Sequence, residues 1–306
     1  MMKDWNSLEK CAMKSGIGWF RLRRNLDESI HELRCFSYVY KRWWYVGAKV
    51  HQMEEVVIKL TKKPKLKNPI FLEGLPGIGS VGKISGEYIK NSLKVVKFGT
   101  IISKHFPPQV FLREDGTVRI VDNELFYYKG KERDVVLLVG DYQGLTPEGQ
   151  YEITDKLLSL LQSFHVKEIY TVGGYGVGRF VEKPRVFGAA TKPEIVENLK
   201  KYNVIFSREE PGGGIVGTIG LLVGLCSDYG MDGLCLMGET PGFYDDPVAA
   251  YSVLSVLVPY LNLDVNLEPL KKLSEDTLER LKQMPFEPKH GKESPLPTSE
   301  DLSYIG

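Results

Sequence analysis

Hydrophobic positions along the chain fall into short blocks whose period switches between strand-like and helix-like. PIFLEG (69–74) and VVKFGTII (95–102) are dense runs of β-branched, aromatic and aliphatic residues, the length of buried strands. Between them, Ser80 to about Asn91 reads as a helix entered through a glycine turn. Residues 117–141 hold three strand-like pieces separated by a polar turn, which predicts a locally antiparallel stretch. Thr146-Pro147-Glu148 opens a helix, with Thr as N-cap, Pro at the first helical position and an acid in the first turn. Tyr151, Leu157, Leu158, Leu161 and Phe164 then recur at helical spacing, so one face of that helix is buried. EIYTVGG (168–174) and GLCLMGE (233–239) predict further strands, and VIFS (204–207) is a shorter apolar run. Further helices are expected at 193–200, 246–261 and 267–284, the last with a charged outer face. This alternation predicts an α/β protein, a three-layer α/β/α sandwich around a mainly parallel, partly mixed sheet.

GGGIVGTIGLLVGLCSDYG (212–230) breaks the pattern. It is too apolar for a surface helix and too rich in glycine for a good isolated one. Gly217, Gly220 and Gly224 fall on one helical stripe, where small residues let a neighbour approach. Residues 215–229 and 247–261 are therefore the expected places for self-association, unless both are core.

Three segments differ in composition. Residues 1–52 hold all four tryptophans and a dense set of arginines (Arg21, Arg23, Arg24, Arg34, Arg42). Three readings stay open for this extension: a basic aromatic binding arm, an ordinary packed element, or a misassigned start with Met53 as the true one. Residues 53–284 carry the strand–helix alternation. Residues 285–306, rich in Pro, Lys, Glu and Ser, are expected to form a flexible tail. Leu302, Tyr304, Ile305 and Gly306 make its apolar tip.

Across the 306 residues the formal net charge is +1, so no overall field draws nucleic acid or a membrane surface. The four cysteines form no C-x-x-C pair and read as reduced thiols of a cytoplasmic protein. No apolar run approaches the roughly 20 residues that span a bilayer.

The candidate chemistry centres on GLPGIGSVGKIS (74–85). Gly77, Gly82 and Lys83 fit G-x-x-x-x-G-K, but Ile84 stands where a P-loop needs the hydroxyl that ligates magnesium. Gly77, Gly79 and Gly82 fit G-x-G-x-x-G, but KVVKFGTII (94–102) offers no acid for a ribose. Glycines at a strand–helix corner also serve close packing, whatever the function. Four loops, at 74–82, 141–147, 173–179 and 238–246, are expected at the C-terminal ends of parallel strands, where ligands of open α/β sheets sit. They carry Glu73, Asp141, Gln143, Arg179, Glu239, Asp245 and Asp246. Ser80 has Gly82 after it but Ile78 where a nucleophile elbow needs a second glycine, and neither His105 nor His165 has a catalytic partner in the sequence.

FLEGLPGIGSVGKISGEYI, HFPPQVF, VVLLVGDYQ, YTVGGYGVGR and EEPGGGIVGTIGLLVG, in that order, resemble the PAC2 family over about residues 68–262. These are proteasome assembly chaperones and their archaeal homologues. The resemblance implies an α/β/α fold similar to nucleoside phosphorylases, without an established catalytic set and without a cofactor. It makes the glycine loop a structural corner. It implies a non-enzymatic homo-oligomer, with proteasome α-subunits or another protein as partner and no nucleic acid or membrane. Some archaeal relatives engage the α-ring through a C-terminal hydrophobic–Tyr–any-residue motif. Here DLSYIG places Tyr304 one position earlier than that motif does. The alternative reading is an enzyme or a small-molecule or nucleotide-binding protein, using the strand-end crevice around Gly77, Gly79, Gly82, Lys83, Asp141 and Glu239.

Overall fold

The computed structural model describes residues 54–207 and 214–283. The 1–52 extension and the 285–306 tail lie outside the described residues. Ten strands and six α-helices are assigned within them. The strands are β1 (Val56–Leu60), β2 (Ile70–Gly74), β3 (Val96–Ser103), β4 (Val110–Leu112), β5 (Val118–Ile120), β6 (Asn123–Tyr128), β7 (Val135–Gly140), β8 (Glu168–Gly176), β9 (Val186–Ala190) and β10 (Asp232–Thr240). The helices are α1 (Val81–Ser92), α2 (Pro147–Ser163), α3 (Pro193–Leu199), α4 (Thr218–Leu225), α5 (Pro247–Tyr260) and α6 (Glu268–Gln283).

Eight strands form one sheet in the order β1-β3-β6-β7-β2-β8-β10-β9. The four central strands, β7, β2, β8 and β10, are parallel. Antiparallel strands flank them: β6, β3 and β1 on one side and β9 on the other. The sheet is thus mixed, as expected, with a parallel centre and a larger antiparallel share than the alternation suggested. The added share is the meander through β3, β6 and β7: residues 129–134 join β6 to β7 too tightly for a helical crossover, and the longer link from β3 to β6 is taken up by the β4–β5 hairpin.

Side-chain alternation sends each strand's apolar residues to both faces. Ile70, Leu72, Val135, Leu137 and Val139 pack with α1, α5 and Leu270 of α6. Phe71, Val136, Leu138 and Ile169 pack against Ile153, Leu157, Leu158 and Leu161 of α2 and Leu222 of α4. This is the three-layer arrangement. Burying each such side chain stabilises the fold by about 1.5–3 kcal/mol before entropy is counted. Helix α2 begins as its sequence dictates: the Thr146 hydroxyl accepts from Gly149 N at 3.1 Å, with Pro147 in the first turn.

Two expectations change. The 212–230 stretch is not one helix with a glycine seam. Gly217, at φ +94°, precedes α4, and the chain tightens into a short 3-10 turn over Cys226–Tyr229. Gly220 packs on its own Ile215 carbonyl and Gly224 meets nothing, so the stripe receives no neighbouring helix. Helix α5 is core, with Ala249, Ala250, Val253 and Leu254 fully buried. VIFS contributes one bridge, Ile205 with Phe187, alongside β9.

β4 and β5 form a separate two-stranded hairpin between β3 and β6. It leaves the sheet at Ser103 and returns at Asn123. Asn123 pairs with Gly140 at the end of β7, so the hairpin springs from the edge where the parallel strands terminate.

Candidate functional site

Gly77, Gly79, Gly82, Lys83, Asp141 and Glu239 all lie at the C-terminal ends of the parallel strands, as the sequence expected. They do not converge. Asp141 follows β7 and Glu239 lies on β10, with β2 and β8 between them. Three strand spacings put their backbones roughly 14 Å apart. That is too far for a catalytic carboxylate pair.

The glycine loop is a packing corner. Gly79 (φ +62°) and Ser80 (φ +50°) both take left-handed backbone to turn β2 into α1. A Cβ on Gly79 would lie 2.6 Å from Thr240 Oγ1. A Cβ on Gly82 would lie 2.5 Å from both the Leu75 and Val172 carbonyl oxygens. Asp246 N donates to the Gly79 carbonyl at 2.9 Å, tying the loop to the start of α5. These glycines let α1 lie close on β2 and β8. Lys83 is half-buried, and its charge helps to hold the Asp141 carboxyl ionised.

Glu239, Asp141, Gln143 and Asp246 are engaged by other groups of the chain, and Asp245 is exposed. Glu239, buried, accepts from Arg185 Nε at 3.0 Å and from Arg179 Nη2 at 3.4 Å. The Arg185 hydrogen bond holds its carboxyl below the usual range, against the pull of burial. Asp141 is bound by Arg119 of β5. Burial pushes its carboxyl up, but the Arg119 hydrogen bonds, the Asp122 amide and the charges of Arg119 and Lys83 together outweigh this and hold it low. Gln143 donates to the Pro76 carbonyl at 2.7 Å and accepts from Thr218 N at 2.9 Å, joining three loops. Asp246 caps α5 through Val248 N and Ala249 N and accepts from the Thr240 hydroxyl at 2.7 Å. His105 bonds Glu152 of α2 at 2.9 Å, a partner distant in sequence.

Glu73 differs from the other acids. It points into the core beside Thr171 and Cys235, which are in register with it across β2, β8 and β10. Burial pushes its carboxyl up to about 8, although Leu75 N donates to it at 2.9 Å. The Cys235 thiol is likewise pushed up by burial, to about 12.

The edge also presents apolar side chains to solvent, among charged ones such as Arg179 and Asp245. Eleven large hydrophobic residues are exposed among the described residues. Eight of them lie here: Ile78, Leu145, Val216 and Phe243 on the loops, and Val110, Leu112, Val118 and Ile120 on the hairpin. Sequence reasoning missed these because an isolated apolar residue in a loop looks the same whether it faces in or out. A groove of about 680 Å³ opens at the opposite end of the strands, where Glu168 and Asp232 begin β8 and β10. Two of its acids are paired, Glu168 with Arg133 and Asp232 with Lys192. Among the described residues no group of three or more His, Cys, Asp or Glu is placed to hold a metal ion. No described helix is long and apolar enough to cross a membrane.

A family model described as the PAC2 family matches residues 71–284. An uncharacterised protein of Methanocaldococcus jannaschii is 36% identical over 254 residues, covering 81% of this chain and 97% of that protein. The crystal structure of Pyrococcus furiosus PbaB, an archaeal proteasome activator, superposes with a TM-score of 0.69 at 37% identity, covering 75% of this chain and 98% of its own. That of Pyrococcus furiosus PbaA, an archaeal homolog of proteasome-assembly chaperone, gives 0.62 at 30% identity, covering 76% and 92%.

Proposed function

The chain belongs to the PAC2 family, and on that premise we propose that it is a non-enzymatic, chaperone-like protein that works by holding other polypeptides. The kinship with PbaA and PbaB supports the chaperone-like role. The observation that carries the reading is the strand-end edge. Glu239, Asp141 and Asp246 are bound by arginines and backbone amides of the chain itself, while eight large apolar side chains stand exposed among charged ones. A site built for bond-making keeps convergent polar groups for its substrate. A surface built for another protein offers apolar side chains rimmed by charge. The small-molecule alternative has weaker support, because Asp141 and Glu239 are occupied and far apart.

In this proposal the protein acts in the cytoplasm as a homo-oligomer, and proteasome α-subunits are its partner. Leu302, Tyr304, Ile305 and Gly306, outside the described residues, supply a contact. Burying Tyr304 or Ile305 in a pocket contributes roughly 1.5–3 kcal/mol each before ordering costs. One such contact is weak, and several on one oligomer gain by avidity. Affinity capture of purified proteasome α-subunits by the full chain and by a variant lacking 302–306 tests this. Loss of capture with the oligomer intact is expected. Undiminished capture by the deletion variant rejects the role of these residues.

A further inference from the structure

We infer that the aliphatic face of the β4–β5 hairpin is the surface through which one copy of this chain binds a second. This rests on the homo-oligomeric reading above and gives it a place. Val110 stands opposite Ile120, and Leu112 opposite Val118, so all four side chains share one face of the ribbon. They are 47–79% exposed. The other face holds Phe111 and Arg119, which are also opposite one another. There the Arg119 guanidinium lies 4.2 Å from the Phe111 ring centroid and binds Asp141. One face is therefore anchored to the body of the protein and the other presents four aliphatic side chains to water.

A two-stranded ribbon alone is marginal in water and needs a covered face. Among the described residues this ribbon pairs with no third strand. The helices that sequence offered for self-association do not compete for the role, since α4 and α5 spend their apolar residues on the core.

Two features on the ribbon and its edge favour a second copy as the occupant. The first is area. The ribbon's four aliphatic residues, at on the order of 100 Å² each, offer roughly 400 Å², and the exposed loop residues Ile78, Leu145, Val216 and Phe243 of the same edge offer about as much again, together near one partner's share of a standard interface. The second is charge. The ribbon's exposed tip carries Arg113 beside Glu114 and Asp115, both signs within one patch. A two-fold contact uses both, setting Arg113 of one copy against the acids of the other and the reverse.

Sedimentation velocity of the purified full chain, with no other protein present, tests this against a Leu112→Asp, Val118→Asp variant. The expected result is an oligomer for the natural chain, and for the variant a dissociation constant raised at least tenfold with an unchanged circular dichroism spectrum. A folded variant that stays oligomeric overturns the ribbon while leaving the oligomer. A natural chain that is monomeric overturns both. Should the double variant misfold, Leu112→Cys treated with a short bis-maleimide gives a covalent dimer if the ribbons face each other. Cross-linking no greater than that of the natural chain overturns the proposal. So does a monomeric chain whose ribbon amides gain exchange protection only when a different protein is added.

Discussion

Arg119 on β5 donates two hydrogen bonds to the carboxylate of Asp141 at the end of β7, that from Nη2 to Oδ1 at 2.9 Å. This is the clasp between the hairpin and the sheet. Asp141 N in turn donates to the Asp122 carbonyl, and Arg119 Nη1 reaches Asp122 at 3.4 Å. The residue that reads from sequence as an acid at the mouth of a ligand crevice is a structural anchor.

Arg119→Ala should therefore loosen the ribbon more than it destabilises the domain. Arg119 is about a third exposed, so solvent screening limits the loss to about 1 kcal/mol. Because the Asp141 carboxyl is held low, its contribution is full above the unfolded value of roughly 3.9 and fades as pH falls through the lower folded value. Urea denaturation should separate the two proteins at pH 7, with the gap narrowing as pH falls below the ordinary carboxylate range. Amides of 110–120 should exchange faster in the variant.

The buried acid Glu73 has the opposite sign. Its folded value of about 8 lies above the ordinary value of 4.5, so between these limits the native state holds a proton that the unfolded chain releases. Stability must then fall as pH rises from 4.5 to 8 and level off beyond. Glu73→Gln keeps the shape and removes the titration. It should be more stable than the natural chain at pH 8, by on the order of 1–3 kcal/mol, with the gap closing towards pH 4. Thermal unfolding across that range measures it.

Gly82 and Lys83 are neighbours with different expected costs. Gly82→Ala gains about 1 kcal/mol of helix propensity but drives a methyl to 2.5 Å from two backbone carbonyl oxygens, which have no side-chain freedom to yield. Overpacking of that kind costs about 3 kcal/mol or more, so net destabilisation is expected in chemical denaturation. Lys83→Ala should change stability by less than about 0.5 kcal/mol. Neither the natural chain nor this variant should show a thermal shift with nucleotide and magnesium. A shift lost on removing Lys83 would support the ligand-crevice reading instead.

The parallel centre was legible because β2, β7, β8 and β10 are continuous apolar runs, the mark of strands buried on both faces. The clustering of Gly77, Gly79, Gly82, Lys83, Asp141 and Glu239 at one edge followed from that topology. What they do there did not follow. The arginines that bind the acids come from distant segments: Arg119 is 22 residues before Asp141, and Arg185 is 54 before Glu239. No local pattern announces such pairs. The hairpin's first strand was hidden because Val110–Leu112 is three residues long and follows two prolines. Its outward aliphatics alternate just as inward ones would. The glycines at 217–224 do not form one helical stripe because Gly217, at φ +94°, stands before the helix that holds Gly220 and Gly224.

The central claim is that this chain acts by gripping other polypeptides. Native mass spectrometry of the purified full chain, with and without purified proteasome α-subunits, tests it most directly. The account predicts a homo-oligomer alone and a mixed assembly with the α-subunits. A chain that stays monomeric and leaves the α-subunits unbound, while retaining a small molecule stoichiometrically, would contradict it.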